Sequence, residues 1–248
     1  ARRRRARVVR IRRGMVALAA AIDLAAAAAA MAEAGEASLL PWVRWTPPQD
    51  QWLRLNPPSG AKLFRAGNQA IGKTYALMAE VNWRCTGTHP YYPTKAPPIE
   101  VWIVCTSWAQ SVAIQKKFWD LAPREELTSK TRQRFRIEDG WGRDNPAASF
   151  LNGSIVRFKT TNQGPEALAG ATVDYIGIDE PPDEEVYREL RKRLLRSGGQ
   201  MGLTLTPINR PCGWLREEVK AGRVDEVHTR LEPAALIPIG SDEPLNDS

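Results

Sequence analysis

Short apolar runs that alternate with helical stretches predict an α/β domain built around a mostly parallel sheet flanked by helices. Three observations carry this. The runs Val101–Thr106 and Tyr175–Ile178 are continuously apolar, as strands buried on both faces are. Stretches of helical character, 75–85, 108–119 and 183–196, fall between such runs. Finally, 248 residues with 43% hydrophobic and 25% charged side chains make an ordinary globular composition. That length suits one large or two small domains with a sizeable core, and the composition excludes global disorder.

The amino-terminal stretch stands apart. Eight arginines lie between Arg2 and Arg13 and outnumber the whole formal excess of +7. The remainder is therefore close to neutral, and the pI of about 9.5 describes a local tail. Met15 to Met31 is almost purely aliphatic, broken by Asp23. Four readings compete: a secretory signal, a membrane helix, a DNA- or partner-binding arm, and a solvated tail running into an Ala-rich helix. The last could include codons upstream of a start at Met15. The internal charge counts against the first, and the weak hydrophobicity of alanine against the second. Clustered arginine suits phosphate. Alanine is the best helix former, so a helix over about 15–35 is expected in any case. Residues 1–38 form this segment, 39–240 the main domain and 241–248 a tail. No membrane association is expected.

Three cysteines, Cys85, Cys105 and Cys212, have no CxxC spacing, which counts against a disulfide framework or a zinc ribbon. Two histidines far apart, His89 and His228, weaken His-based metal sites and a Ser-His-Asp triad.

Leu40 to Pro58 holds Trp42, Trp45 and Trp52 among several prolines and reads as an irregular, aromatic-anchored lead-in. Lys62–Ala66 is strand-like. Residues 86–98, rich in Pro, Tyr and Thr, form a loop, and 123–146 are polar and Arg-rich. Helix 108–119 places Val112, Gln115 and Trp119 at turn spacing. Ile155–Thr161 alternates like a strand, and Gly202–Thr206 is another, closed by Pro207. No internal repeat is visible.

Between the strand Lys62–Ala66 and the helix from Tyr75 lies Gly67-Asn68-Gln69-Ala70-Ile71-Gly72-Lys73-Thr74, a complete G-x-x-x-x-G-K-T loop. Glycines let the backbone curl so that its N–H groups face phosphate oxygens, and the helix adds its positive end. Lys73 is expected to reach the β and γ phosphates, and the Thr74 hydroxyl to ligate Mg²⁺. A chance Gly-rich turn would not explain the second motif. Asp179-Glu180 ends the apolar strand from Tyr175, the Walker B pattern that partners such a loop. Asp179 would hold Mg²⁺, directly or through water, and Glu180 would orient and deprotonate the attacking water. The competing reading is a strand-end turn before Pro181-Pro182. A catalytic Glu favours an ATP hydrolase over a nucleoside kinase. Thr94-Lys95-Ala96-Pro97 lacks the Asp of a guanine-reading element, which disfavours a GTPase. The sheet is thus expected to be that of a P-loop NTPase of the RecA-like (ASCE) kind.

With these motifs in order, the chain resembles the ATPase domain of the large terminase subunit of tailed double-stranded DNA bacteriophages. The pieces are Pro48-Gln49-Asp50-Gln51-Trp52, the phosphate loop, Val101-Trp102-Ile103-Val104-Cys105-Thr106-Ser107, Glu166-Ala167-Leu168-Ala169-Gly170, Asp179-Glu180, and Thr206-Pro207-Ile208-Asn209 followed by Gly213-Trp214. The similarity spans roughly residues 45–235, and the last element is the most discriminating. The resemblance implies that Gln49, or alternatively Gln51, contacts adenine. It places Thr206 in a coupling motif, with Thr204 one strand period behind on the same face. It implies a motor that hydrolyses ATP in a homo-oligomeric ring at the portal vertex of a procapsid, in the host cell cytoplasm. Its partners would be double-stranded DNA, the portal protein and the small terminase subunit.

Two positions depart from the family pattern. Gln69 stands where many members carry Arg or Lys, and Ala169 precedes Gly170 where Arg is frequent. Arg65 is either a substitute γ-phosphate sensor or a solvated strand end. The resemblance also implies an arginine supplied in trans from about midway between the Walker motifs; among Arg124, Arg132, Arg134, Arg136 and Arg143, Arg132 or Arg134 is favoured. No room is expected for the family's nuclease domain before Ser248, and Glu217/Glu218 and Asp225/Glu226 read as helix-surface charges. Two alternatives remain: another P-loop DNA translocase or helicase-like ATPase, and a non-catalytic DNA-binding module whose Walker residues are vestigial. Intact Lys73, Thr74, Asp179 and Glu180 argue against the latter.

Overall fold

The computed structural model describes residues 38–67, 72–163, 168, 170–206 and 212–229. The Arg-rich tail and Ala-rich stretch, Asn68, Gln69, Ala70 and Ile71 of the phosphate loop, Ala169, and Pro207, Ile208 and Asn209 lie outside the described residues.

Among the described residues seven strands form one sheet: β1 (Ala61–Ala66), β2 (Glu100–Cys105), β3 (Ala147–Ser149), β4 (Ile155–Thr160), β5 (Tyr175–Asp179), β6 (Gln200–Leu205) and β7 (Asp225–Thr229). Their order is β3-β4-β2-β5-β6-β1-β7. All neighbours are parallel except β3, which runs antiparallel to β4 at the edge. The predicted parallel α/β sheet is therefore present. Six α-helices accompany it among the described residues: α1 (Pro47–Arg54), α2 (Lys73–Thr86), α3 (Trp108–Leu121), α4 (Ser129–Arg134), α5 (Glu184–Leu195) and α6 (Gly213–Lys220).

Period-two alternation along the buried strands splits the core between the two faces. Phe64, Val101 and Ile103 pack with Trp52 of α1, Leu77 and Val81 of α2, and Ile114 and Phe118 of α3. Leu63, Trp102 and Val104 face the other way, with Val186, Leu190 and Leu194 of α5 and Leu215 of α6. The sheet thus ends up with helices on both faces and the carboxyl ends of its central strands open to a ligand.

Four elements depart from the sequence expectation. The supposedly irregular lead-in contains α1, begun by Thr46 with Pro47 following and by a reciprocal capping box between Thr46 and Gln49. The Arg-rich stretch holds α4, capped by Thr128, whose side chain accepts from the Thr131 N–H. Glu217 and Glu218 do sit on a helix, α6, but Asp225 and Glu226 belong to strand β7. Strand β3, three residues long, is recognisable only through its pairing with β4.

Helix α2 approaches the sheet closely at Gly202. A methyl group there would overlap the Tyr175 hydroxyl and meet Trp52 and Leu77 at 3.2 and 3.3 Å. Tyr175 is held under the Arg84 guanidinium, 4.3 Å above its ring, so it has little room to yield. Gly202→Ala is expected to destabilise the domain by about 1–3 kcal/mol through overpacking. A urea midpoint unchanged from the parent would show that the Tyr175 hydroxyl moves aside freely.

Candidate functional site

The phosphate loop leaves β1 at Ala66-Gly67 and returns at Gly72, whose φ of +68° is left-handed. Gly72 is needed twice over: a side chain would be strained at that φ and would approach Gln49 Nε2 to 2.5 Å. Gln49 is buried, and its Nε2 donates to the Gly72 carbonyl at 3.2 Å. Its Oε1 accepts from the Thr46 backbone N–H at 2.8 Å and the Thr46 hydroxyl at 3.1 Å. One carboxamide therefore ties the start of α1 to the end of the phosphate loop. Gln51, by contrast, is exposed.

Lys73, the first residue of α2, is 5% exposed, with Nζ 3.4 Å from the Ala66 carbonyl. Burial pushes its pKa down, and the carboxylates of Glu180 and Asp179 oppose that. Thr74, next in the chain, turns its hydroxyl to Asp179 Oδ1 at 3.0 Å. The same oxygen accepts from the Thr204 hydroxyl of β6 at 2.7 Å. Oδ2 accepts from Gln110 Nε2 of α3 at 3.1 Å, and that nitrogen also reaches the Asp179 carbonyl at 3.2 Å. Asp179, at the end of β5, is thus the point where the first turns of α2 and α3 are tied to β6.

Gln110 escaped the sequence analysis. Its Oε1 accepts from the Thr106 N–H and hydroxyl at 3.0 and 2.7 Å, while its own N–H caps onto Ser107 Oγ. The signal available was Ser107-x-x-Gln110, a capping-box spacing right after a buried strand.

Glu180 follows with φ +66°, a left-handed value that costs a non-glycine residue about 1–2 kcal/mol. Its N–H bonds to the Thr204 carbonyl at 3.1 Å, and its Oε2 accepts from the Thr206 N–H at 3.1 Å. Burial raises the carboxyl pKa above the ordinary glutamate value, and the hydrogen bonds from Thr206 oppose that rise. Each of the two predicted coupling threonines thus engages one member of the acidic pair: Thr204 takes Asp179 and Thr206 takes Glu180.

A cavity of about 440 Å³ opens here, lined among others by Lys73, Thr74, Gln110, Lys117, Asp179, Glu180 and Thr206. That volume lies within the usual range for a small-molecule site. The Thr74 hydroxyl and Asp179 carboxylate are hard oxygen donors at its floor, a donor set that suits Mg²⁺. That ion takes one or two protein oxygens and fills its remaining positions with phosphate and water. Among the described residues no three His, Cys, Asp or Glu side chains converge, and Mg²⁺ held alongside phosphates needs no such cluster.

The arginines are elsewhere. Arg132 and Arg134 lie on α4, which packs on the edge strand β3; Arg134 is exposed and Arg132 is half-buried, 3.4 Å from Ser129 Oγ. Neither lines the cavity. Arg65 forms a two-pronged ion pair with Glu226 of β7 and does not line this cavity.

A loop of phosphate-binding sequence opening a helix, an acidic pair closing a strand, and a further strand between those two give this domain the P-loop NTPase fold. The chain belongs to the family described as terminase large subunit, T4likevirus-type, N-terminal, which matches residues 63–208. Among solved structures it is similar in fold to the large terminase of bacteriophage HK97, with a TM-score of 0.50 and 12% identity, covering 73% of this chain and 38% of that one. The large terminase of a thermophilic bacteriophage, solved in complex with ADP, superposes with a TM-score of 0.46 at 11% identity, covering 75% of this chain and 45% of that one. The chain therefore spans less than half the length of either. No curated protein matches it in sequence. No helix among the described residues is long and apolar enough to cross a membrane.

Proposed function

We propose that residues 39–240 form the ATP-hydrolysing motor of a phage DNA-packaging terminase, driving double-stranded DNA into a procapsid. The observation that carries this is the convergence of Lys73, Thr74, Asp179, Glu180 and Thr206 on one cavity at the carboxyl ends of β1, β5 and β6. Family membership supplies the packaging context. The motor would work as a homo-oligomeric ring at the portal vertex in the host cell cytoplasm, engaging the portal protein and the small terminase subunit.

In this mechanism the loop 67–74 wraps the phosphates and Lys73 carries charge to the β and γ groups. Gln49 supports the loop through Gly72 and flanks the adenine side. Thr74 and Asp179 would hold Mg²⁺, which would supply Lewis-acid charge to the phosphates. Glu180, held by the Thr206 N–H, orients a water for in-line attack and takes its proton. When the γ-phosphate departs, the Glu180–Thr206 contact is the link through which β6 and the segment after it respond. An arginine from a neighbouring subunit, Arg132 or Arg134, completes the site in trans. The position of both outside their own subunit's cavity is compatible with that role.

The test is steady-state ATP hydrolysis by the full chain with and without duplex DNA, alongside Lys73→Ala. Hydrolysis that rises with DNA and falls at least a hundredfold in the variant is the expected result, since the lysine carries transition-state charge. DNA-independent hydrolysis would instead favour an ATPase with another partner. Equal turnover by both proteins would sink the assignment of the site.

A further inference from the structure

The phosphate loop lacks a basic residue at its third position, where Gln69 stands, and Arg65 is tied to Glu226. Yet the cavity has a second cation besides Lys73. Gln110, Ala113, Ile114 and Lys117 recur at three- and four-residue steps and form one face of α3, and all four line the cavity. Lys117 is the charged end of that wall. Lys73 lines the same cavity. The Lys117 ammonium lies 5.5 Å from the centre of the Tyr75 ring, one residue beyond Thr74. Asp120, a turn further along α3, accepts instead from the Tyr75 hydroxyl at 3.3 Å. Among the described residues Lys117 forms no ion pair.

Both ammonium groups belong to the lining of one cavity, and each can donate charge-assisted hydrogen bonds to phosphate oxygens there. On the P-loop reading, strand order gives the end of the anion that Lys117 meets. The phosphate loop enters from β1, on one side of the Asp179 strand; α3 follows β2, on the other side, in the order β2-β5-β6-β1. We propose that Lys117 contacts the terminal phosphate of the nucleotide from its own subunit. This rests on the P-loop ATPase reading above and names one more substrate-binding residue within it.

Binding of ADP and of a non-hydrolysable ATP analogue to the full chain tests the assignment, with Mg²⁺ present throughout. Three variants serve: Lys117→Ala, Lys117→Arg and, as a control for the site itself, Lys73→Ala. Loss of a charge-assisted contact should weaken the ATP analogue about tenfold in Lys117→Ala while leaving ADP affinity within about twofold. Lys117→Arg should restore most of the difference. Equal weakening of both nucleotides, or none, overturns the proposal; in either case retained binding by the parent and its loss in Lys73→Ala would leave the P-loop site standing. A parent chain that binds neither nucleotide overturns the P-loop reading and this proposal with it.

Discussion

Glu180→Gln should abolish turnover while leaving nucleotide binding nearly intact. The substitution keeps the size of the side chain, and its carboxamide oxygen can still accept from the Thr206 N–H that Oε2 accepts from at 3.1 Å. What disappears is basicity. Loss of a positioned general base costs about a hundred- to ten-thousandfold in rate, so kcat should fall by that much while KM or ADP affinity changes little. The acid limb of the parent pH profile carries a second consequence. Burial holds the Glu180 carboxyl above its ordinary pKa of 4.5. The base works only when ionised, so activity must fall as pH drops through that raised value, at higher pH than an exposed glutamate would give. A profile that stays flat down through the ordinary glutamate range would argue that a group other than Glu180 takes the proton. If Glu180→Gln retained parental turnover, Glu180 would be a structural strand end, and Thr74 and Asp179 would remain as the residues to hold Mg²⁺.

Much of this arrangement could be read from residues before any coordinates. The phosphate loop and acidic pair announce themselves because their chemistry demands fixed residue types at fixed spacing, and both are bracketed by the strands that present them. Buried strands such as β2 and β5 were legible as unbroken apolar runs. Strand β7 was not, since Asp-Glu-Val-His-Thr is an edge strand with a single buried side chain, Val227, and almost no apolar signal. Helix α1 was hidden by its prolines: Pro47 and Pro48 look like breakers, yet they occupy the first turn, where the missing N–H costs nothing. Pairings across the chain were out of reach altogether. Nothing in the one-dimensional pattern tells that Thr204 answers Asp179 while Thr206 answers Glu180, that Gln110 closes the ring around Asp179, or that Arg65 meets Glu226. Those depend on strand order and register, which local spacing does not encode.

The largest effect on stability is expected far from the acidic pair, at Glu80. This carboxylate on α2 is fully buried, as is Lys62 of β1 beside it, with Nζ 3.0 Å from Oε2. Arg84, one turn further along α2, bonds the other oxygen at 2.6 Å. The Tyr92 hydroxyl donates to it at 2.8 Å, and His89 Nε2 lies 3.0 Å from Oε2. The loop 87–98 is thereby pinned against the helix that carries the phosphate loop. Burial alone would push the Glu80 pKa up, but Lys62 and Arg84 outweigh it and hold the carboxyl well below the ordinary range. Neutralising it strands two buried cations. Glu80→Gln should therefore cost about 3–5 kcal/mol, the loss typical when one partner of a buried ion pair is removed. For a domain of this size that corresponds to a fall in melting temperature of roughly 6–20 °C. Linkage fixes the pH dependence: a carboxyl with depressed folded pKa contributes stability that is complete above its unfolded value. That contribution is lost as pH falls toward the folded one. The parent should therefore lose this increment on acidification, and Glu80→Gln should show a shallower acid limb. Replacing the whole group at once, as in Lys62→Met with Glu80→Leu and Arg84→Leu, removes the stranded charges and should recover part of the loss. A Glu80→Gln domain that melts with the parent would mean that water already reaches this cluster. The support beneath the phosphate loop would then be the aromatic packing of Trp52 on Phe64, their ring centroids 6.1 Å apart, and not the ion network.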